Sequence, residues 1–178
     1  NQELISGGGD ASMHFSKSKW FIKFGEPDNR FALSVLGLID IDSYFMIGKN
    51  SLPGMPDLPS SPIDFLSKLP SFNDQNPRKP AVSTGSGFAM GQMLSVDTGK
   101  LKFLVFYARI AIAFGYDISI LHTDATCANV QGKMGLNGWY ATGQVYAGIE
   151  AKVGIDINLW FVKKDIVLLE VGLLAALK

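Results

Sequence analysis

The chain has 178 residues, 47% of them hydrophobic, enough to bury one sizeable core in one or two domains. Its 16 Lys and Arg balance its 16 Asp and Glu, which removes any general attraction to nucleic acid or to an anionic membrane surface. The single cysteine, Cys127, excludes an internal disulfide and a cysteine-rich zinc site.

In chain order, residues 1–12 are polar, carry Gly7, Gly8 and Gly9 in a row, and read as a flexible lead-in. Residues 13–50 read as a β-meander. The stretch from His14 to Phe24 sets Lys17, Lys19, Phe21 and Lys23 against Ser16, Ser18, Trp20, Ile22 and Phe24. Gly25 to Asn29 then has the residue types of a hairpin turn. From Phe31 to Ile47, Leu33, Val35, Ile39 and Ile41 share one face and Ser34, Asp40 and Asp42 the other, with a bend expected at Gly37. Residues 51–82 hold seven of the eight prolines, from Pro53 to Pro80. Proline removes backbone donors, so a long connecting loop is expected, with a short helix over Ser61 to Leu69.

Residues 83–178 read as a long-stranded antiparallel sheet. Ser83 to Val96 is glycine-rich, Asp97 to Lys100 reads as a turn, and Leu101 to Leu121 is one long run. His122 to Gly138 connects it to Tyr140–Leu159, the clearest pattern in the chain. There the odd positions run Ala141, Gly143, Val145, Ala147, Ile149, Ala151, Val153, Ile155, Ile157 and Leu159; the even ones include Gln144, Glu150, Lys152, Asp156 and Asn158. Period two over this length specifies a ribbon with one dry and one wet face. Straight, it would reach about 65 Å, so a bend is expected at Gly148 or Gly154. Lys163 to Asp165 is expected to turn the chain into a last apolar strand. The fold class is all-β: long antiparallel strands in a large curved sheet or a sandwich.

No candidate site carries a recognisable catalytic pattern. His122, Asp124 and Cys127 have metal-ligand atom types, but their spacing fits no metal motif. No serine sits in a nucleophile elbow, and the glycines at 7–9 and in Thr84–Gly87 do not open a helix as phosphate loops do. Asp40 and Asp42 share a strand face and read as solvated surface. Arg109 stands inside an apolar run, where a charge calls for a partner; Glu150 and Asp156 on the neighbouring strand are the expected ones. No enzyme activity, metal or cofactor is expected. Arg109 and Glu170 interrupt the two longest apolar runs, so a spanning helix is not expected. The polar start and the apolar finish read as those of a fragment.

Two architectures fit. In a soluble sandwich or curved layer the dry face is covered by protein; in an outer-membrane barrel it meets lipid and the wet face lines the lumen. The small residues Ala141, Gly143, Ala147 and Ala151 favour protein contact. Lys19 to Pro59, with its Gly-x-Pro turn, YFMxG strand end and proline run, together with the GWYA strand start in Asn137 to Ile157, resembles segments of very large β-rich proteins of Bacteroidetes bacteria, some labelled with the TANFOR domain. The resemblance implies an exported, cell-surface or envelope protein with no catalytic motif to transfer. The sequence reading is therefore a non-enzymatic structural or interaction module of a larger exported assembly. Its partners are other subunits or the remainder of its own chain, and a segment of an outer-membrane β-barrel is the alternative.

Overall fold

A computed structural model describes residues 4–52, 85–124, 135–159 and 162–177. The expected helix at Ser61 to Leu69, and Cys127, lie outside them. The described residues hold ten strands and no helix: β1 (Ile5–Gly8), β2 (Ala11–Phe15), β3 (Trp20–Phe24), β4 (Phe31–Val35), β5 (Ile39–Lys49), β6 (Ser86–Asp97), β7 (Leu101–Phe103), β8 (Phe106–His122), β9 (Trp139–Leu159) and β10 (Val162–Leu177). All join one antiparallel sheet in the order β1-β4-β5-β6-β8-β9-β10, with β2 beside β3, β3 beside β5 and β7 beside β8.

Several of these strands are collinear pieces of one stave. Both β3 and β4 pair with the same edge of β5, through Phe24↔Phe45 and Phe31↔Ser43. The segment Gly25–Arg30 is therefore an insert in one stave, opposite Tyr44, and not the hairpin its turn residues suggest. Likewise β1 and β2 lie along β4 and β3, and β6 and β7 along β8. The result is an up-and-down meander of seven staves in sequence order.

Other boundaries also shift. The expected lead-in carries β1 and the start of β2. The first long strand is broken at Ser16–Lys19, where the Ser16 hydroxyl donates to Lys19 O at 2.7 Å. Gly37 lies in a tight turn instead of a bend: Leu36 and Gly37 both have positive φ (56° and 62°), Leu38 N donates to Val35 O at 3.1 Å, and Leu36–Leu38 connect the paired residues Val35 and Ile39. Lys163 to Asp165 lie within β10, because the chain has already reversed between Leu159 and Val162. An extra residue at Leu168 bulges β10 between Val167 and Leu169.

Register assigns the faces, since cross-strand partners point the same way. One face is concave and tight. Three inward tyrosines stand directly opposite glycines: Tyr44↔Gly91, Tyr146↔Gly115 and Tyr107↔Gly154. A Cβ on Gly115 would fall 2.5 Å from the Tyr146 ring, and one on Gly154 would fall 2.6 Å from Tyr107. Each ring lies across backbone that only glycine leaves bare, which lets the sheet curve without a void. Beside them a small apolar cluster joins Tyr44, Met46, Leu52, Ala89 and Leu121, with Tyr140 packed against it.

Gly115→Ala should lower stability by about 1–3 kcal/mol, the cost of overpacking. Gly143→Ala, whose new methyl meets nothing closer than 3.4 Å, should change it by less than about 0.5 kcal/mol. Urea unfolding followed by tyrosine and tryptophan fluorescence measures both.

Candidate functional site

The polar side chains of the long strands converge on the concave face, and the centre of that convergence is Asp117. Tyr44, Gly91, Asp117 and Gln144 form one cross-strand row over β5, β6, β8 and β9. A Cβ on Gly91 would fall 2.1 Å from Asp117 Oδ1 and 2.4 Å from the Tyr44 ring, so the glycine opens the space in which the two approach. Asp117 is 0% exposed. Arg30 Nη2 donates to its Oδ1 at 2.9 Å, and Gln144 Nε2 donates to its Oδ2 at 2.9 Å. The Gly25–Arg30 insert thus reaches over the concave face and delivers a guanidinium three staves along. Arg30 Nε donates to Pro27 O at 3.2 Å, and the guanidinium lies 5.1 Å from the Tyr44 ring centroid, so backbone and ring hold it in place. A carboxylate this deep is stable only because both oxygens are engaged.

A second polar group occupies the same face nearer the end with the β4–β5, β7–β8 and β9–β10 turns. Arg109 and Lys152 are direct cross-strand partners, an unfavourable like-charge pair unless acids flank it. They do: Arg109 Nε donates to Asp97 Oδ1 at 2.9 Å, and Lys152 Nζ lies 2.7 Å from Glu150 Oε1 and 3.9 Å from Glu170 Oε1. Lys102 pairs with Asp156 at 2.6 Å. At the rim Lys100 pairs with Asp165, whose hydrogen bond raises the lysine above its ordinary pKa. The three residues expected to pair, Arg109, Glu150 and Asp156, are thus all on the concave face, where Asp97, Lys152 and Lys102 respectively engage them. Asp97 was missed because it lies on the stave at the other side of β8. Arg30 carried no sequence signal, because it sits in a turn. Asp117 did carry one: it shares strand parity with Arg109.

Asp40 and Asp42 are half-buried on this concave face and not on open surface. His122 packs against Trp139 with ring centroids 5.0 Å apart. Among the described residues no group of three or more metal-ligating side chains converges.

The opposite face carries the apolar residues, and among the described residues nothing covers it. Ile149 is 42% exposed while its neighbour Glu150 is 2% exposed, and the same alternation runs along β8 and β9. Exposed Leu94, Ile110, Ile112, Phe114, Val145, Val153, Val171 and Leu173 continue that surface over four strands. Among the described residues the dry face, expected beneath a second layer, meets no other element.

Comparison with known proteins gives no relative: no family model, curated protein or solved structure matches the chain.

Arg30→Met should destabilise by about 3–5 kcal/mol, because it leaves Asp117 charged, buried and unpaired. Adding Asp117→Asn should recover part of that loss. Lys23→Met, which breaks the more exposed Lys23–Glu26 pair, should cost no more than about 1 kcal/mol. A double-mutant cycle in urea separates these values.

Proposed function

We propose that this sheet is part of the wall of a transmembrane β-barrel in a bacterial outer membrane, a channel or translocation component with no enzymatic activity of its own. The observation that carries the reading is the inverted burial: Glu150, Lys152, Asp117 and Gln144 are inside, while Ile112, Phe114, Ile149 and Val153 are outside. In water that arrangement wastes apolar burial and desolvates charge. Against lipid it is the low-energy one, because a barrel satisfies every backbone group between strands and turns its apolar side chains outward.

Three further features support it. The meander runs strictly between sequence neighbours, as barrel walls do. Its connections are asymmetric: at one end Leu36–Leu38, Leu104–Val105 and residues 160–161 are short, while at the other residues 50–85 and 123–138 are long. Outer-membrane barrels have that asymmetry, with short turns inside and long loops outside. Strand β5, of 11 residues, matches the roughly 9–11 residues a tilted strand needs to span a bilayer, and β6, of 12, is long enough to do so. Aromatic side chains also stand on the outer face near both ends, with Trp20, Phe88 and Trp139 toward the long loops and Phe103 and Phe106 at a short turn. No helix among the described residues is long and apolar enough to cross a membrane, which leaves strands as the spanning elements of this reading.

Seven staves are fewer than the eight of the smallest barrels, so closure draws on further strands beside β10 or β2, whose outer edges pair with nothing among the described residues. The resemblance to Bacteroidetes envelope proteins agrees with an exported location. The competing reading, a soluble surface assembly in which a protein partner covers the apolar face, draws on the small outward residues Ala141, Gly143, Ala147 and Ala151.

Fractionation of the full-length protein from its source cells decides between them. Retention through high salt and urea, with release only by detergent, is the barrel outcome; release without detergent overturns it in favour of the soluble assembly. Ile112→Arg should cost about 2–4 kcal/mol in lipid, the penalty for a cation near the bilayer midplane. Thr142→Lys, on the concave face, should cost less than about 0.5 kcal/mol. Folding yield into vesicles across a urea series reads both.

A further inference from the structure

At the long-loop end of the apolar face, one cross-strand row runs over six staves: Phe15, Trp20, Lys49, Ser86, His122 and Trp139. The row inward from it, two residues along each strand, is wholly apolar and passes through Ile22, Ile47, Phe88 and Ile120. So is the one after, through Phe24, Phe45, Met90 and Ile118. Charge therefore returns to this face abruptly, in its last row.

Within that row Lys49, Ser86 and His122 are direct cross-strand partners, which sets their Cβ atoms about 4.5–5.5 Å apart. An ammonium, a hydroxyl and an imidazole at that spacing can all donate to one phosphate. No carboxylate stands in this row or in the two inward from it, and Lys49 forms no ion pair among the described residues. The charges of the chain cancel overall, so the attraction is local. The group is also held in place. Asn50 N donates to Gly85 O at 2.7 Å and Gly85 N donates to Asn50 Oδ1 at 2.8 Å, which clamps the strand ends just beyond Lys49 and Ser86. Asn50 Nδ2 donates to Ser18 O at 2.9 Å and draws in the strand that carries Trp20. His122 packs against Trp139, and the two indoles close the group on both sides. Indole favours the boundary between hydrocarbon and water, where lipid headgroups lie.

We infer that Lys49, Ser86 and His122 bind the phosphate of an anionic lipid headgroup, whose acyl chains lie down the sheet over Ile47, Phe88 and Ile120. The inference rests on the barrel reading and sets the headgroup plane of one leaflet at this row. A soluble anion would use the charges alone; the indoles beside them and the unbroken apolar rows beneath them fit an amphiphile.

The test uses the purified full-length protein in dodecyl maltoside, titrated with acyl-brominated phosphatidic acid and, separately, with acyl-brominated phosphatidylcholine, and reads tryptophan fluorescence. Bromine quenches an indole at contact, and Trp20 and Trp139 flank the site. Wild type should be half-quenched by phosphatidic acid at a concentration about tenfold lower than by phosphatidylcholine, whose phosphate is neutralised by its own cation. Lys49→Gln, at an exposed position, should cut that preference to about threefold or less, and adding His122→Gln should abolish it. Lys164→Gln, which removes a lysine of the same face at the opposite end, should leave it unchanged. Inorganic phosphate in large excess should not restore the fluorescence; restoration would mean a soluble-anion site and overturn the lipid assignment. Equal quenching by the two lipids, or a preference that survives in the double variant, overturns the headgroup site and leaves the barrel standing. No quenching by either lipid overturns the barrel with it. Should the double variant fail to fold, Lys49→Gln decides alone, and an unchanged preference refutes the site.

Discussion

The backbone ladder between β8 and β9 is the constraint from which the rest follows. All 17 residues of β8 pair in unbroken register with β9, so no side chain on either strand can change face without its partners changing too. This locks Arg109, Asp117 and Ser119 onto the side of Gln144, Tyr146, Glu150 and Lys152, and locks the aliphatic residues onto the other. Once one charged row is committed to the concave side, every other charged Asp, Glu, Lys or Arg row paired between the two strands is committed with it. The glycines then become necessary, because a concave face that carries tyrosines and ion pairs has no room for further side chains at Gly91, Gly115 and Gly154.

Electrostatics on that face is organised by reach. Local pairs such as Lys152 with Glu150 hold neighbouring positions together. The Arg30–Asp117 pair is different, since it joins residues 87 apart in sequence and ties an insert at one stave to the centre of the sheet. Low dielectric strengthens the bond and raises the cost of losing either partner. The insert is therefore fastened to the sheet by the same pair that makes a buried Asp117 tolerable.

Much of this was legible in the sequence. The alternation in Tyr140–Leu159 specified the longest strand to within a residue or so, and the polar parity of Arg109, Glu150 and Lys152 placed them on one face. Which face would be buried was not legible, because period two distinguishes two sides without saying which is outside. The small residues Ala141, Gly143, Ala147 and Ala151 suggested close contact on the apolar side, yet close contact occurs on the other, at glycines opposite tyrosines. The hairpin expected at Gly25–Asn29 had the right turn chemistry, but its pairing was set by β5, a partner the local sequence does not reveal. Arg109 was expected to pair with Glu150 or Asp156 on one neighbouring stave; Asp97 engages it from the stave on the other side of β8.

The single extra residue at Leu168 gives β10 a property of its own. Before it Ile166 stands with Ile155 on the apolar side; after it Leu169 stands with Val153 there, and Glu170 falls beside Lys152. The bulge works as a frame correction: the sequence changes phase and the surface does not. In such a strand, composition can drift while the count of residues between landmarks cannot. A one-residue insertion or deletion would evert everything downstream, unless a second of opposite sign restored the frame before Glu170.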